Sequence, residues 1–167
     1  MTIQIDIKRA LRGYFIRESL ESACVERLAR SGGGDDFARL DAELAKQKTA
    51  IESGDLDAFY LLDNDYHSLL YDLARMPSAR RLVESAKSEV DRLKGLKSVY
   101  RFCRPESVLL DEHAEIKNAA LAGDARRARL AIKNHLSGMN EAIEAVLKEE
   151  KLWGLFNRIN RGTGQKW

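Results

Sequence analysis

Proline occurs only twice in these 167 residues, at Pro77 and Pro105, and apolar residues recur every three or four positions almost throughout. That pairing commits the chain to helices, because the repeat matches one face of an α-helix and the residue that breaks helix interiors is nearly absent. Glycines supply the punctuation. A first helix is expected from Asp6 to Ser31, ending at "SGGGDD", where consecutive glycines cannot hold helical backbone. A second runs to about Ser53, with Phe37, Leu40, Leu44 and Ile51 as its apolar marks. Gly54 closes it, and Asp55 offers an N-cap to a third helix carrying "LLDNDYHSLLYDLA". Pro77 starts a fourth helix through about Tyr100, and Pro105 falls in the first turn of a fifth. Gly123 and Asp124 divide that helix from a sixth, which runs from Ala125 beyond Lys148.

Connections this short turn neighbouring helices antiparallel, so the expected fold is all-α, an antiparallel bundle of about six helices. Residues 1–10 read as a lead-in, 11–150 as the domain and 151–167 as a tail. "TIQIDI" alone has any strand character, and "NRINRGTGQKW" loses the apolar period, with Trp153 and Phe156 as candidates to dock just before it.

The three histidines fall in telling places. On the third helix Leu62, Tyr66, Leu69 and Leu73 form the core stripe. Asp63 and His67 lie one step of about 100° beside it, an expected half-buried position, and stack at i and i+4. His113 belongs to the stripe Leu109, His113, Ile116, Ala120, and His135 to Ala128, Ile132, His135, Met139. Both imidazoles therefore point where apolar groups are expected, an expensive place for a lone imidazole. They sit ten residues before Gly123 and twelve after it. At about 1.5 Å per residue they come to nearly the same height above the turn. Two histidines thus face each other across a helical hairpin while an aspartate and a histidine share one face of a third helix. Three nitrogens and one carboxylate oxygen suit a divalent ion, zinc first, with nickel, manganese or iron as alternatives, and leave coordination positions open. The competing reading is a solvated Asp-x3-His pair and two core histidines, each with one hydrogen bond.

Composition narrows the function. At 44% apolar the chain can build one core. Its net charge of +2, with basic residues spread along the chain and not interleaved with aromatics, argues against gripping nucleic acid by itself. Cys24 and Cys103 stand far apart, without the spacing of a disulfide framework or a thiolate zinc site, which fits a reducing cytoplasm. Nowhere do about 18 apolar residues run consecutively, so a secreted or membrane-spanning protein is not expected.

"LLDNDYHSLLYDLA" followed by "LLDEHAEIKNAALAGDARRARLAIKNHL" resembles the ligand-binding (FCD) domain of FadR-type regulators in the GntR family. In the metal-binding subgroup of that family an Asp-x3-His, an "EH" and a later His bind a divalent metal, and the matching positions here are Asp63, His67, His113 and His135. "YFIRESLESACVERLA" is similar to the family's first helix, with Arg17 and Glu21 in its Arg-x3-Glu. Two departures stand out: "RMPSAR" replaces the Asn that usually follows the histidine helix, and no winged helix-turn-helix precedes the domain in these residues.

The resemblance implies a homodimeric sensor that binds a small organic acid, whose carboxylate completes the metal shell, and that reaches DNA only through a winged helix-turn-helix absent from this chain. Arg17 and Arg92 each border an apolar face and are the candidate second clamps on that carboxylate, since guanidinium binds carboxylate bidentately. An ordinary helix-surface role is the alternative for both. A helical metalloenzyme that activates water is the rival function. Against it, Glu112, the nearest carboxylate in sequence to His113, points about 100° away from that histidine.

Overall fold

The computed structural model describes residues 7–32, 37–87 and 104–148. Among these residues there are six helices and no strand: α1 (Ile7–Ser31), α2 (Phe37–Glu52), α3 (Leu56–Leu73), α4 (Pro77–Ala86), α5 (Glu106–Leu121) and α6 (Ala125–Lys148). The all-α expectation holds. Residues 2–6 of "TIQIDI", the helix expected to continue from residue 88 to Tyr100, Arg92, and the tail with Trp153 and Phe156 all lie outside the described residues. Within them, α1 begins inside the expected lead-in, and Pro105 is the N-cap of α5, one residue before its first turn.

Local sequence sets the helix ends. Asp55 caps α3 by accepting from the Ala58 N–H at 3.0 Å, and Asp124 does the same at α6 for Arg127 at 2.9 Å. Gly54 and Gly123 close α2 and α5 in the left-handed region, at φ 70° and 71°, where a Cβ would be strained. At both turns the next N–H reaches back five residues, Asp55 to the Ala50 carbonyl and Asp124 to the Ala119 carbonyl. The same turn ends α3, but there Arg75 takes the left-handed position, at φ 58°. Its N–H bonds the Asp72 carbonyl, and the Met76 N–H bonds that of Tyr71. The replacement read in "RMPSAR" is therefore a backbone matter: a side chain stands where the turn favours glycine or asparagine.

Helices α5 and α6 form one hairpin and α2 and α3 another; α1 packs along α6 and also against α3, α4 and α5. Val25, Leu28, Leu40, Tyr66, Leu70, Ile116, Ala128 and Ile132 fill the space between them. Full burial of each large apolar side chain contributes about 1.5–3 kcal/mol. Surface pairs such as Arg129–Glu26 between α6 and α1 and Lys117–Asp41 between α5 and α2 add little by comparison. No described helix is long and apolar enough to cross a membrane.

Both histidine stripes are buried as expected, from Leu109 to Ala120 on α5 and from Ala128 to His135 on α6. Helix α3 is turned further than its apolar pattern implies. Its core face runs through Phe59, Asp63, Tyr66 and Leu70, while Leu62 is only half-buried. Asp63 and His67, expected beside the core, are 1% and 4% exposed. An aspartate tolerates that position because it faces imidazoles and not hydrocarbon.

Candidate metal centre

Four side chains from three helices meet in the middle of the bundle: Asp63 and His67 from α3, His113 from α5 and His135 from α6. Each offers one ligand atom within 4.8 Å of the others, and all four residues are buried. The Nε2 atoms of His135 and His67 stand 3.2 Å apart, and those of His113 and His135 3.3 Å. Asp63 Oδ1 is 3.5 Å from His113 Nε2 and 3.7 Å from His67 Nε2. Nitrogens about 2.0–2.1 Å from a shared ion would be separated by about 2.9 Å at a right angle and about 3.4 Å at the tetrahedral angle, so the spacing suits one small cation.

The outer ring nitrogens explain why the inner ones are available. His67 Nδ1 contacts Glu21 Oε1, and His135 Nδ1 lies 2.8 Å from Glu112 Oε2. Ionised carboxylates only accept, so both Nδ1 atoms carry the proton. His113 Nδ1 lies 2.8 Å from Gln47 Oε1. The Gln47 amide is oriented by its own Nε2, which donates to the Leu62 carbonyl at 3.2 Å, so its oxygen is the group that faces His113. As neutral imidazoles with the proton on each Nδ1, the three rings would turn their Nε2 lone pairs toward one another beside a carboxylate. They repel unless a cation stands between them, and the residues present fit one.

Electrostatics keep His135 in that state. Burial, then His113 and His67 nearby, push the proton affinity of His135 well below the usual 6.5. Burial would raise the Glu21 carboxyl, but His67 and Arg17 beside it, with hydrogen bonds from His67 and Tyr71, bring it down to about 2. Glu21 Oε2 accepts from Arg17 Nε at 3.1 Å and from the Tyr71 hydroxyl at 2.9 Å. Burial works against the Arg17 charge, yet Glu21 and then Asp63 hold its guanidinium more firmly protonated than usual. Tyr66 stacks on His113 with ring centres 4.4 Å apart and donates its hydroxyl to the His113 carbonyl at 2.8 Å.

Arg17, expected to border an apolar face, is 3% exposed and engaged by Glu21. It lines a cavity of ≈ 10 Å³ with His67, Asn64, Tyr71, Arg80 and Lys87, room for about one water. Reading the sequence missed the three orienting groups. Gln47 had a signal, seven residues after Leu40 on the same face of α2. Glu21 was visible only as the partner of Arg17. Glu112 does turn away from His113, and its carboxylate reaches across the hairpin to His135 on α6.

Fold and centre together define an all-α bundle domain with a buried candidate metal site. The FCD domain family matches residues 13–138, and the chain belongs to the FCD domains of GntR-family regulators. It is 29% identical over 150 residues to the HTH-type transcriptional repressor RspR of Escherichia coli K12, across 90% of this chain and 65% of that protein. An uncharacterized HTH-type transcriptional regulator in an unstable DNA locus of Streptomyces ambofaciens is 27% identical over 143 residues, across 86% of this chain and 59% of that one. Among solved structures, Escherichia coli McbR/YncC superposes with a TM-score of 0.70 at 20% identity, over 92% of this chain and 68% of that one. At that identity the likeness concerns the fold. The chain thus spans less than two thirds of the length of the two sequence relatives.

Proposed function

We propose that this chain is the effector-sensing and dimerisation domain of a GntR-type regulator, in the metal-binding subgroup, and that it does not catalyse a reaction. Asp63, His67, His113 and His135 hold a divalent ion, zinc first. The observation that carries this reading is the convergence of three Nε2 atoms and one carboxylate in a buried centre. When bound, the ion supplies a concentrated positive charge with an open position.

A small organic acid offers its carboxylate to that position. Arg17, beside His67 in the small cavity, is the described candidate for the second grip; Arg92 is the other, from outside the described residues. A cavity with room for about one water has to widen to admit an acid, which ties binding to a shift of the helices around it. DNA is reached through a helix-turn-helix beyond these residues, as the names of the relatives suggest, in a homodimer in the cytoplasm. Supporting a sensor over a hydrolase, Glu21 and Glu112 are both committed to orienting histidines, which leaves neither to act as a general base.

The test is a panel of small carboxylic acids screened by thermal shift against metal-loaded and chelated protein, with His135→Ala alongside. The expected result is an acid that raises the melting temperature of the loaded wild type and does much less for the other two. Equal stabilisation of all three, with metal content confirmed to differ, would separate acid from metal and sink this mechanism.

A further inference from the structure

The three orienting groups differ in one respect. Glu21 and Gln47 are fully buried, but the Glu112 side chain keeps 25% of its surface exposed. A half-exposed carboxylate has water and other rotamers to choose from, so something must hold it on His135. That group is Arg104, which precedes the N-cap proline of α5. Its Nη2 pairs with Glu112 Oε1, and its Nη1 donates to the His135 backbone carbonyl at 3.3 Å. The guanidinium therefore grips both the carboxylate that orients the His135 ring and the main chain of His135 itself, closing a loop of contacts over one residue.

Gly138 makes room for this grip. Unlike Gly32, Gly54 and Gly123, it has no positive φ, so its backbone does not require glycine. A helix interior disfavours the residue. A Cβ there would collide with Arg104 Nη1 and come within 3.0 Å of Arg104 Cζ.

We infer that Arg104, seated over Gly138, is a positioning residue for the metal centre: through Glu112 it fixes the proton on Nδ1 of His135 and aims Nε2 at the ion. This rests on the metal reading above. The arrangement also makes His135 the ligand whose orientation is set from the surface, since Arg104 and Glu112 both touch solvent, at 17% and 25%.

The experiment uses the full chain and Co(II) as the probe, reading affinity by chelator competition and ligand geometry by the visible absorption of the bound ion. Gly138→Ala removes no functional group. The colliding atoms belong to the far end of a flexible side chain, so the fold survives and Arg104 moves. The expected result is a Co(II) affinity about 10-fold lower and an altered spectrum in both Gly138→Ala and Arg104→Met, with the metal-free melting temperature of Gly138→Ala equal to wild type or higher. The double variant should bind no worse than Arg104→Met, because alanine at 138 has nothing left to displace. Glu112→Gln, which keeps an acceptor for Nδ1 but loses the charge that pairs with Arg104, should fall between wild type and Arg104→Met. Unchanged Co(II) affinity and spectrum in Gly138→Ala and Arg104→Met would overturn the inference and leave the metal centre standing. So would affinity lost only in step with the metal-free melting temperature in both. A wild-type chain that binds no Co(II) would overturn the metal reading itself, and this inference with it.

Discussion

Burial of His135 among His113 and His67 sets how the metal-free protein answers acid. Its folded proton affinity lies well below 6.5, while the unfolded chain protonates it at about 6.5. The unfolded state therefore binds more protons as pH falls through that value, and stability rises with pH there. Glu21, held at about 2 against an ordinary 4.5, contributes stability that is complete above 4.5 and lost between the two values. Melting temperatures of the chelated protein should be flat above pH 7, fall below about 6.5 and fall again below about 4.5. His135→Gln, which cannot titrate, should flatten the first decline; an unchanged slope would remove His135 as its source. Gln47→Leu leaves the His113 Nδ1–H buried without its acceptor, at a cost of about 1–3 kcal/mol, and should lower both melting temperature and metal affinity in chelator competition. The candidate ligands were legible because His113 and His135 sit on apolar helical stripes whose period the sequence displays, and Asp63 and His67 share one face beside such a stripe. Glu21, Gln47 and Glu112 were not, because what each one faces depends on how α1, α2 and α5 are rotated against other helices, and no single helix encodes that.

Among the helices, the end of α3 is under strain of its own. Arg75 holds φ 58° with a side chain that the left-handed region disfavours by about 1–2 kcal/mol. Arg75→Gly should stabilise the protein, by about 1 kcal/mol once the greater freedom of unfolded glycine is counted, or about 2–4 °C in a melt. Arg75→Asn should give a smaller gain. No gain from either would mean that the Arg75 side chain contributes contacts worth as much as the strain. Helix starts at Asp55 and Asp124 and stops at Gly54 and Gly123 could be read directly, because capping chemistry is local. The rotation of α3 could not, since apolar counting leaves Asp63 half-buried beside the core stripe and only the imidazoles from α5 and α6 make its fully buried position tolerable.

Across the whole molecule, an ion held by residues from α3, α5 and α6 would staple one helical hairpin to the other. Chelation should lower the melting temperature, and His135→Ala should do so without chelator and then respond little to it. The exposed rings and aliphatics on α1 and α4, Phe15 at 73% and Leu82 at 61%, suit a two-fold partner. Sedimentation at micromolar concentration should show a dimer, which Phe15→Glu weakens; a monomer throughout would overturn the proposed dimerising role. The burial of the centre also has a bearing on time. With every candidate ligand residue no more than 4% exposed, an ion bound there would come and go slowly, as the surrounding helices part. The metal that a given copy of the protein carried would then follow changes in supply only with a lag, set by how often those helices part.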